Sequence, residues 1–331
     1  MTLKTGKLPP EFLKELVESL PYKSEQILIG PHYGVDGALV MLKEGKYVFT
    51  SDPITFTSRE SVYYLFAANI NDTISMGAKP EFFALNLLFR EGITEEEVRI
   101  IFNEIAYYSN LYNVSVVTGH TEITPGLRSN VLSGFMVGKS LRYVSPQKVR
   151  PGDVIVQIKG VAIEGTSIIS REKESLLSEK FGQDFVERCK EFLFNPGICL
   201  HDIGLEILEN FEIHYIHDPT EGGIQTAIYE ALTASNAGGE ITGEEIIVYE
   251  ETVKVCDFFG INPLGLISSG TLIVILEEQE GLRMHDFLSA RGIPSRIIGK
   301  VLPPEQGTHI RMKGKRKPLK PFIRDEILEV L

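Results

Sequence analysis

The chain has 331 residues, of which 43% are hydrophobic, and a formal net charge of −12 at pH 7. This length allows two domains of ordinary size, and the hydrophobic content indicates a folded protein, not a disordered one. The negative charge argues against binding of nucleic acid by phosphate neutralisation, so no nucleic-acid partner is expected.

The sequence also predicts a cytoplasmic protein that does not interact with a membrane. It shows no early apolar signal region and no long uncharged apolar run. The odd number of cysteines, without Cys-x-x-Cys spacing, fits a reducing compartment. We expect small buried hydrophobes rather than nucleophiles at Cys189, Cys199 and Cys256.

The first half predicts the element order ββαβαββ, an α+β layer with its helices on one face. A short amphipathic helix over 8–20 precedes this layer. The layer itself has strands at 38–42, 47–50, 82–88, 114–118 and 131–137, and helices near 62–76 and 94–112. The second half predicts strands at 154–158, 213–216, 271–276 and 295–301, and helices at 165–180, 184–193, 200–209, 224–235 and 279–290.

The helix near 62–76 ends in a polar pair beside an apolar stripe. Gly77 and Pro80 are typical stop signals for such a helix. Asn69 and Asp72 lie three residues apart and therefore share one face. No Lys or Arg between them pairs with the carboxylate, which therefore needs a cation, a donor network or a ligand. An aspartate that bonds its own helix end is the alternative.

Two further carboxylates flank the first two predicted strands. The strands predicted at 38–42 and 47–50 form a hairpin across a short turn, which places Asp36 and Asp52 at the same end of the sheet. Converging carboxylates repel unless a divalent cation lies between them, and oxygen ligands suit Mg²⁺. Taken singly, each aspartate is explained at least as well by a structural role, as a helix cap or a turn former, as by metal binding.

Glycine-rich loops at 30–37, 160–165 and 222–223 can bring backbone N–H groups to phosphate oxygens. The last of them precedes a helix, whose N-terminal donors would face an anion. Glycine turns without a ligand are the alternative, and neither a GxxxxGK[ST] loop nor a clean GxGxxG is present.

His120 follows a predicted strand end and precedes Glu122, which makes it the best candidate for a functional histidine. A hydrogen-bonded structural histidine is the alternative. His214 and His217 lie three apart on a predicted strand, so we expect them to face opposite sides.

Five segments in fixed order resemble motifs of the PurM-like superfamily of ATP-using enzymes, and are most similar to those of the hydrogenase maturation protein HypE. Residues 71–80 (NDTISMGAKP) resemble its ND-x₄-GA-x-P motif, and 50–52 (TSD) its strand-end aspartate. Residues 119–122 (GHTE) resemble the GGE, GGD, TGD or GGH segment. Residues 218–224 (DPTEGGI) resemble DPTRGGLA, and 269–272 (SGTL) resemble part of SEGTLL.

The resemblance implies a two-domain α+β, α/β protein. Residues 1–150 would form a ββαβαββ domain that closes a barrel across a homodimer, and residues 151–331 an α/β domain, with ATP between the domains. Asp36, Asp52 and Asp72 would hold Mg²⁺. The cofactor-binding residues would be Gly34, Gly37, Asn69, Gly119, Gly165, Gly222 and Gly223. The catalytic residues would be His120, Glu122 and Asp218, which would act on a small-molecule substrate.

Two departures limit what the resemblance implies. HypE carries its reacting group on a C-terminal cysteine, whereas this chain has its last cysteine at Cys256. In addition, His120 occupies the position at which the TGD motif has a carboxylate. We therefore expect Mg²⁺-dependent phosphoryl transfer from ATP to an acyl or phosphate-accepting substrate. A non-catalytic nucleotide-binding scaffold and a small-metabolite kinase remain the alternatives.

Overall fold

The computed structural model describes residues 3, 6–21, 24–30, 38–55 and 60–331. The chain divides into two compact units. The first comprises 1–74 and 78–141, and the second comprises 75–77 and 142–331. No helix within the described ranges has both the length and the apolar character that a membrane span requires.

The first unit is built on a five-stranded sheet with strand order β1-β6-β5-β7-β4. Only the β5–β6 pair is parallel among these described strands. Its elements are β1 (Gly6–Lys7), α1 (Pro10–Glu18), β2 (Ile27–Ile29), β3 (Leu39–Val40), β4 (Tyr47–Ile54), α2 (Ser61–Ser75), β5 (Ala78–Phe89), α3 (Glu95–Leu111), β6 (Ser115–Ile123) and β7 (Val131–Ser140). From β3 to β7 the order is the predicted ββαβαββ.

Helices α2 and α3 cover one face of this sheet. The ring of Phe66 on α2 lies 5.1 Å from that of Phe83 on β5 and 5.9 Å from that of Tyr108 on α3. Helix α3 begins with the predicted capping box, in which Thr94 and Glu97 bond each other's backbone. Helix α2 ends at Ser75, and Gly77 has a φ of +77°, which confirms the predicted glycine stop.

The predicted hairpin between the first two strands is wrong. Strand β3 pairs with β2, whereas β4 pairs along its whole length with β7. Apolar packing explains this choice, because Ile27 and Val40 lie over Phe82 and Val117 on the other face of the sheet. The hairpin argument for bringing Asp36 and Asp52 together therefore fails.

Strands β4 and β6 are among those that extend beyond their predicted ends. Strand β4 runs through Asp52 to Ile54 because pairing with β7 continues to Leu132. Strand β6 runs to Ile123 because parallel pairing with β5 continues to Phe89. Asp52 and His120 are thus strand residues, not the loop residues that the sequence predicted.

The second unit contains a seven-stranded sheet with strand order β14-β13-β10-β12-β8-β11-β9. Its elements are β8 (Val154–Ile158), α4 (Ile163–Glu172), α5 (Glu174–Phe181), α6 (Gln183–Glu191), α7 (His201–Asn210), β9 (Tyr215–His217), α8 (Gly223–Ala234), β10 (Gly238–Thr242), α9 (Glu250–Phe259), β11 (Leu272–Leu276), α10 (Glu278–Ser289), β12 (Ser295–Leu302), β13 (Thr308–Met312) and β14 (Lys315–Pro318). Every residue of β8 and β11 is buried, as expected for central strands covered on both faces.

Helices α4, α6, α8 and α9 share one apolar cluster with alternate residues of this sheet. Helix α10 lies against β8 on the other face, where a Cβ on Gly281 would come within 2.4 Å of Val154. The helix predicted over 165–180 is two helices, which meet at Lys173, where the backbone leaves the helical region. Strand β10, helix α9 and the β13–β14 hairpin were not predicted.

The domain boundary predicted at 150/151 falls inside the second unit. Residues 142–150 join this unit because Ser145 N donates to His214 O at 2.8 Å and Lys148 Nζ donates to Ile213 O at 3.0 Å. The buried His214 also contacts Asp153 Oδ2 at 2.7 Å, while His217 contacts Glu230. The two histidines thus contact separate partners, and only His217 lies in β9.

Candidate functional site

A hydrogen-bonded clamp joins α2 to β4 in the first unit, and Asn69 is at its centre. The fully buried Asn69 accepts from Asp52 N at 3.1 Å through Oδ1. Its Nδ2 donates to Leu65 O at 2.9 Å and to Asp52 O at 3.4 Å. The side chain of Asn69 thus holds the backbone of Asp52, which is one of the three residues predicted to bind a metal.

A second pair of side chains, which the sequence analysis missed, completes this clamp. Thr50 Oγ1 lies 3.1 Å from Thr73 Oγ1, and Thr73 also donates to Asn69 O at 2.8 Å. A Cβ on Gly134, opposite Asp52 on β7, would come within 2.3 Å of the Phe83 ring and 2.8 Å of Asn69 Nδ2. Position 134 therefore has to be glycine for the clamp to close. The sequence analysis could not find this pair, because a contact between a threonine on a strand and a threonine on a distant helix leaves no pattern in the sequence.

Asp52 and Asp72 flank the clamp from two elements. Asp52 follows Thr50 by two residues, so its side chain points to the same, helix-covered face of the sheet. Asp72 lies about one turn beyond Asn69 on α2 and shares its face. Both aspartates are half-buried. Their carboxylates are hard oxygen ligands of the kind that Mg²⁺ takes.

The third predicted metal ligand, Asp36, lies outside the described residues, as do Gly34 and Gly37. Within the described ranges, no group of three or more His, Cys, Asp or Glu side chains is placed to hold a metal ion. A pair of carboxylates nonetheless fits Mg²⁺, which usually binds one or two carboxylates together with substrate phosphates and waters.

His120 and Glu122 form a pair on β6. His120 Nε2 lies 3.2 Å from Glu122 Oε2, and Thr124 Oγ1 donates to Glu122 Oε1 at 2.9 Å. The hydrogen bonds from His120 and Thr124 hold the pKa of Glu122 below its ordinary value. The two residues alternate with Gly119 and Thr121, so they share one face of the strand.

Strand register places this pair away from Asp52. Asp52 is in line with Gly134, Leu85 and Gly119 across the sheet, whereas His120 is in line with Asn86 on the other face. Strands β4 and β6 are three strand spacings apart, which is about 14 Å. The structure of one chain therefore does not bring His120 and Glu122 to the atoms that Asp52 could bind. Gly119 has a structural role, because a Cβ at this position would lie only 2.6 Å from Leu85 O.

Asp218 is buried at the end of β9 in the second unit, with 7% of its surface exposed. Ser75 Oγ donates to Asp218 Oδ1 at 3.2 Å. Burial raises the pKa of the neighbouring Tyr215, and the charges of Glu230 and Asp218 raise it further.

The glycines predicted to cradle phosphate in the second unit have partners within the chain. Gly165 packs against Leu266, which lies 2.4 Å from the position of a Cβ. Gly222 N donates to Asp325 Oδ2 at 2.7 Å, and Gly223 N donates to Thr220 O at 3.0 Å. The anion that faces the start of α8 is thus the chain's own Asp325, which the sequence analysis missed.

Two of the three cysteines, Cys189 and Cys256, are buried as predicted. Burial raises the pKa of Cys189 to about 11 and that of Cys256 to about 12. Neither thiol is therefore ionised at neutral pH, and a nucleophilic role for them has no support. Cys199 is half-buried.

Comparisons with known proteins agree with this architecture. Residues 34–140 match the model of the AIR synthase related protein N-terminal domain, and residues 150–311 match that of its C-terminal domain. A putative hydrogenase expression/formation protein of Methanocaldococcus jannaschii is 26% identical over 94% of this chain and 93% of its own. The carbamoyl dehydratase HypE of Azotobacter vinelandii is 25% identical over 82% of this chain and 79% of its own.

A crystal structure of HypE in complex with ATP superimposes with a TM-score of 0.72, covering 89% of this chain and 90% of that one at 21% identity. This likeness confirms the predicted two-domain fold. The two family models together span most of the sequence. The chain therefore belongs to the AIR synthase related protein family.

Proposed function

We propose that this protein is a HypE-like, ATP-binding, Mg²⁺-dependent enzyme that activates an acyl or phosphate-accepting substrate by phosphoryl transfer. The observation that carries the proposal is the Asn69 clamp, because it fixes the strand of Asp52 against the helix of Asp72. Sequence likeness to a carbamoyl dehydratase and fold likeness to an ATP complex support the nucleotide assignment.

Asp52 and Asp72 would hold Mg²⁺, which when bound neutralises the charge of the nucleotide phosphates. The clamp fixes the position from which Asp52 presents its carboxylate. Because Asn69 bonds both the N–H and the C=O of Asp52, the carboxylate is presented from a fixed backbone, which lowers the cost of ordering it on binding. Asp36, Gly34 and Gly37, which lie outside the described residues, remain proposed ligands.

The other predicted residues have separate roles in this proposal. Asp218, oriented by the hydroxyl of Ser75, would face the terminal phosphate. His120 and Glu122 would act on the acceptor at a site completed by the second copy of the homodimer, because their face of the sheet excludes contact with a group bound at Asp52 in the same chain. Gly119, Gly165, Gly222 and Gly223 would shape the backbone around the nucleotide rather than donate freely to it, given their internal contacts.

Titration calorimetry of ATP with Mg²⁺ tests this assignment. We expect Asp52→Asn to weaken binding about tenfold or more, because a carboxylate in a metal site is worth at least about 1.4 kcal/mol. The control is Asp184→Asn, which changes an exposed aspartate at the start of α6. Equal affinity of the wild type and Asp52→Asn would remove Asp52 from the site.

Turnover distinguishes the enzyme from its alternatives. ATP consumption in the presence of purified metabolite pools is expected for the enzyme. Tight ATP binding without consumption in any pool would favour a nucleotide-binding scaffold, and a phosphorylated product would favour a small-metabolite kinase.

A further inference from the structure

The β13–β14 hairpin of the second unit concentrates positive charge in a chain whose net charge is negative. Residues 311–320 contain six of the 33 Lys and Arg side chains and no Asp or Glu. All of these ten residues except Leu319 are exposed. None of them belongs to the proposed nucleotide site. We call the six cations the basic patch: Arg311, Lys313, Lys315, Arg316, Lys317 and Lys320.

The sheet holds the backbone of the basic patch in one position. Strand β13 pairs in parallel with β10, and β14 pairs with β13 along all four of its residues. Ile310 belongs to the apolar cluster of the second unit, and the buried Leu319 donates its N–H to Thr308 O at 3.0 Å. Lys313 and Gly314 form the two-residue turn, both with the positive φ that a type I′ turn requires. Only the side chains of the patch therefore have to be ordered when a partner binds.

The two arginines of the patch share a carboxylate within the chain. Arg311 lies directly opposite Arg316 in the hairpin. Both contact Glu240 on β10, with Arg316 Nε 3.8 Å from Glu240 Oε2. This contact offsets the repulsion between two like charges that face each other across a strand pair.

The four lysines of the patch have no such carboxylate. Lys315 and Lys317 alternate with Arg316, so they share the opposite face of the sheet, about 7 Å apart along the strand. The side chains of all four lysines make no hydrogen bond and no ion pair with any described residue. Like charges at this spacing repel one another, and a partner that supplies carboxylates would remove the repulsion.

Protection of the sheet edge explains only part of this charge. Strand β14 is the last strand in the order of its sheet, and an edge strand that carries charge or proline resists pairing with another chain. A strand of four residues that ends in Pro318 already has two features of this kind, its short length and its proline. The six cations therefore exceed what protection of the edge requires.

The edge also offers a partner little backbone pairing. Met312 and Lys315 flank the two-residue turn, so they exchange both of their backbone hydrogen bonds with each other. The N–H groups of β14 that point away from β13 would therefore belong to Arg316 and to position 318, where Pro318 has none. Recognition at this edge has to come from the charges of the side chains.

We propose that the basic patch is a docking surface for an acidic, extended segment of a partner protein, whose carboxylates pair with the four lysines. An extended chain places alternate side chains about 7 Å apart, which matches the spacing of Lys315 and Lys317. Nucleic acid fits less well, because residues 308–320 contain no Phe, Tyr or Trp on which bases stack. The net charge of −12 also repels a long polyanion, whereas a short acidic segment needs to contact only the hairpin.

Fluorescence anisotropy of a labelled peptide of about eight glutamates, titrated with the full chain, tests the patch. We expect saturable binding at about 50 mM salt that weakens about tenfold or more at about 300 mM, because salt screens exposed charge pairs. The double variant Lys315→Glu with Lys317→Glu should bind about tenfold or more weakly than the wild type. The matched control, Lys14→Glu with Lys180→Glu, changes the net charge equally at exposed lysines of α1 and α5 and should bind as the wild type does.

Three results would overturn the proposal. One is the absence of saturable binding by the wild type at low salt. Another is an equal loss of affinity in the hairpin and control variants, which would reduce the effect to net charge. The third is tighter binding of a single-stranded oligothymidylate of about the same charge, which would assign the patch to nucleic acid. If the charge reversal fails to fold, Lys315→Gln with Lys317→Gln decides in its place, with an expected loss of affinity of about threefold or more.

Discussion

At the scale of single residues, Asn69 has more structural consequence than any one predicted ligand. An asparagine in a helix interior is neutral or unfavourable for helix formation, so its place in α2 has to be explained by tertiary contacts. Those contacts are the N–H and C=O of Asp52 on β4. The residue therefore has a structural role whether or not a nucleotide binds beside it.

We expect Asn69→Ala to lower the free energy of unfolding by about 2–4 kcal/mol, because it leaves buried polar groups of β4 without their partner. Urea unfolding is the measurement. Asn110→Ala is the matched control, since Asn110 Nδ2 makes the same bond to the carbonyl four residues earlier, Ala106 O, but on the exposed surface of α3. That variant should change stability by about 0.5 kcal/mol or less. Equal effects of the two variants would contradict the clamp.

At the scale of elements, α3 shows how a local signal fixes a boundary. Thr94 N donates to Glu97 Oε2 at 2.8 Å, and Glu97 N donates to Thr94 Oγ1 at 3.2 Å. The hydrogen bond from the backbone of Thr94, with those of its hydroxyl and the charge of Arg90, holds the pKa of Glu97 below its ordinary value. The helix start was predictable because the capping bonds between Thr94 and Glu97 span only three residues.

Glu97→Gln should reduce stability at pH 7 by about 0.5 kcal/mol, a small effect because the side chain is 44% exposed. A lowered pKa stabilises the fold above the ordinary value of 4.5, and this stabilisation is lost as the pH falls through the folded pKa. The variant and the wild type should therefore converge in thermal unfolding as the pH falls below 4.5 and through the lowered folded pKa. Glu96→Gln, on the exposed side of the same turn, is the control. A difference for Glu97→Gln that persists at acid pH would exclude its charge as the cause.

At the scale of the whole molecule, the homodimer remains a proposal, and one face of the first unit supports it. Phe49 and Phe135 are 59% and 45% exposed, with ring centroids 5.9 Å apart, on the sheet face away from α2 and α3. Large side chains of the small β2–β3 sheet are exposed as well, among them Leu28 and Leu39. Clustered exposed aromatics are typical of interfaces.

Phe49→Lys and Phe135→Lys should shift the protein from dimer to monomer in light scattering coupled to gel filtration, because a desolvated ammonium opposes the contact. Tyr107→Lys replaces an aromatic residue on α3 that is 61% exposed and should leave the mass unchanged. A wild type that is monomeric at micromolar concentration would refute the homodimer.

The sequence by itself determined the features that depend on neighbours along the chain. These include the ββαβαββ order, the glycine stop after α2, the capping box of α3 and the buried thiols of Cys189 and Cys256. The ordered motifs also led to the family, since a fixed order of short segments is specific where each segment alone is not.

Tertiary structure alone decided which strands pair and which groups meet. The loss of the predicted hairpin followed from apolar side chains of β2 and β3 that cover the sheet, a contact between distant residues. The same holds for Asn69 with Asp52, for Asp325 with Gly222 and for the separation of His120 from Asp52. In each case the partner is a backbone group or a sheet face, and neither leaves a pattern in the amino-acid sequence.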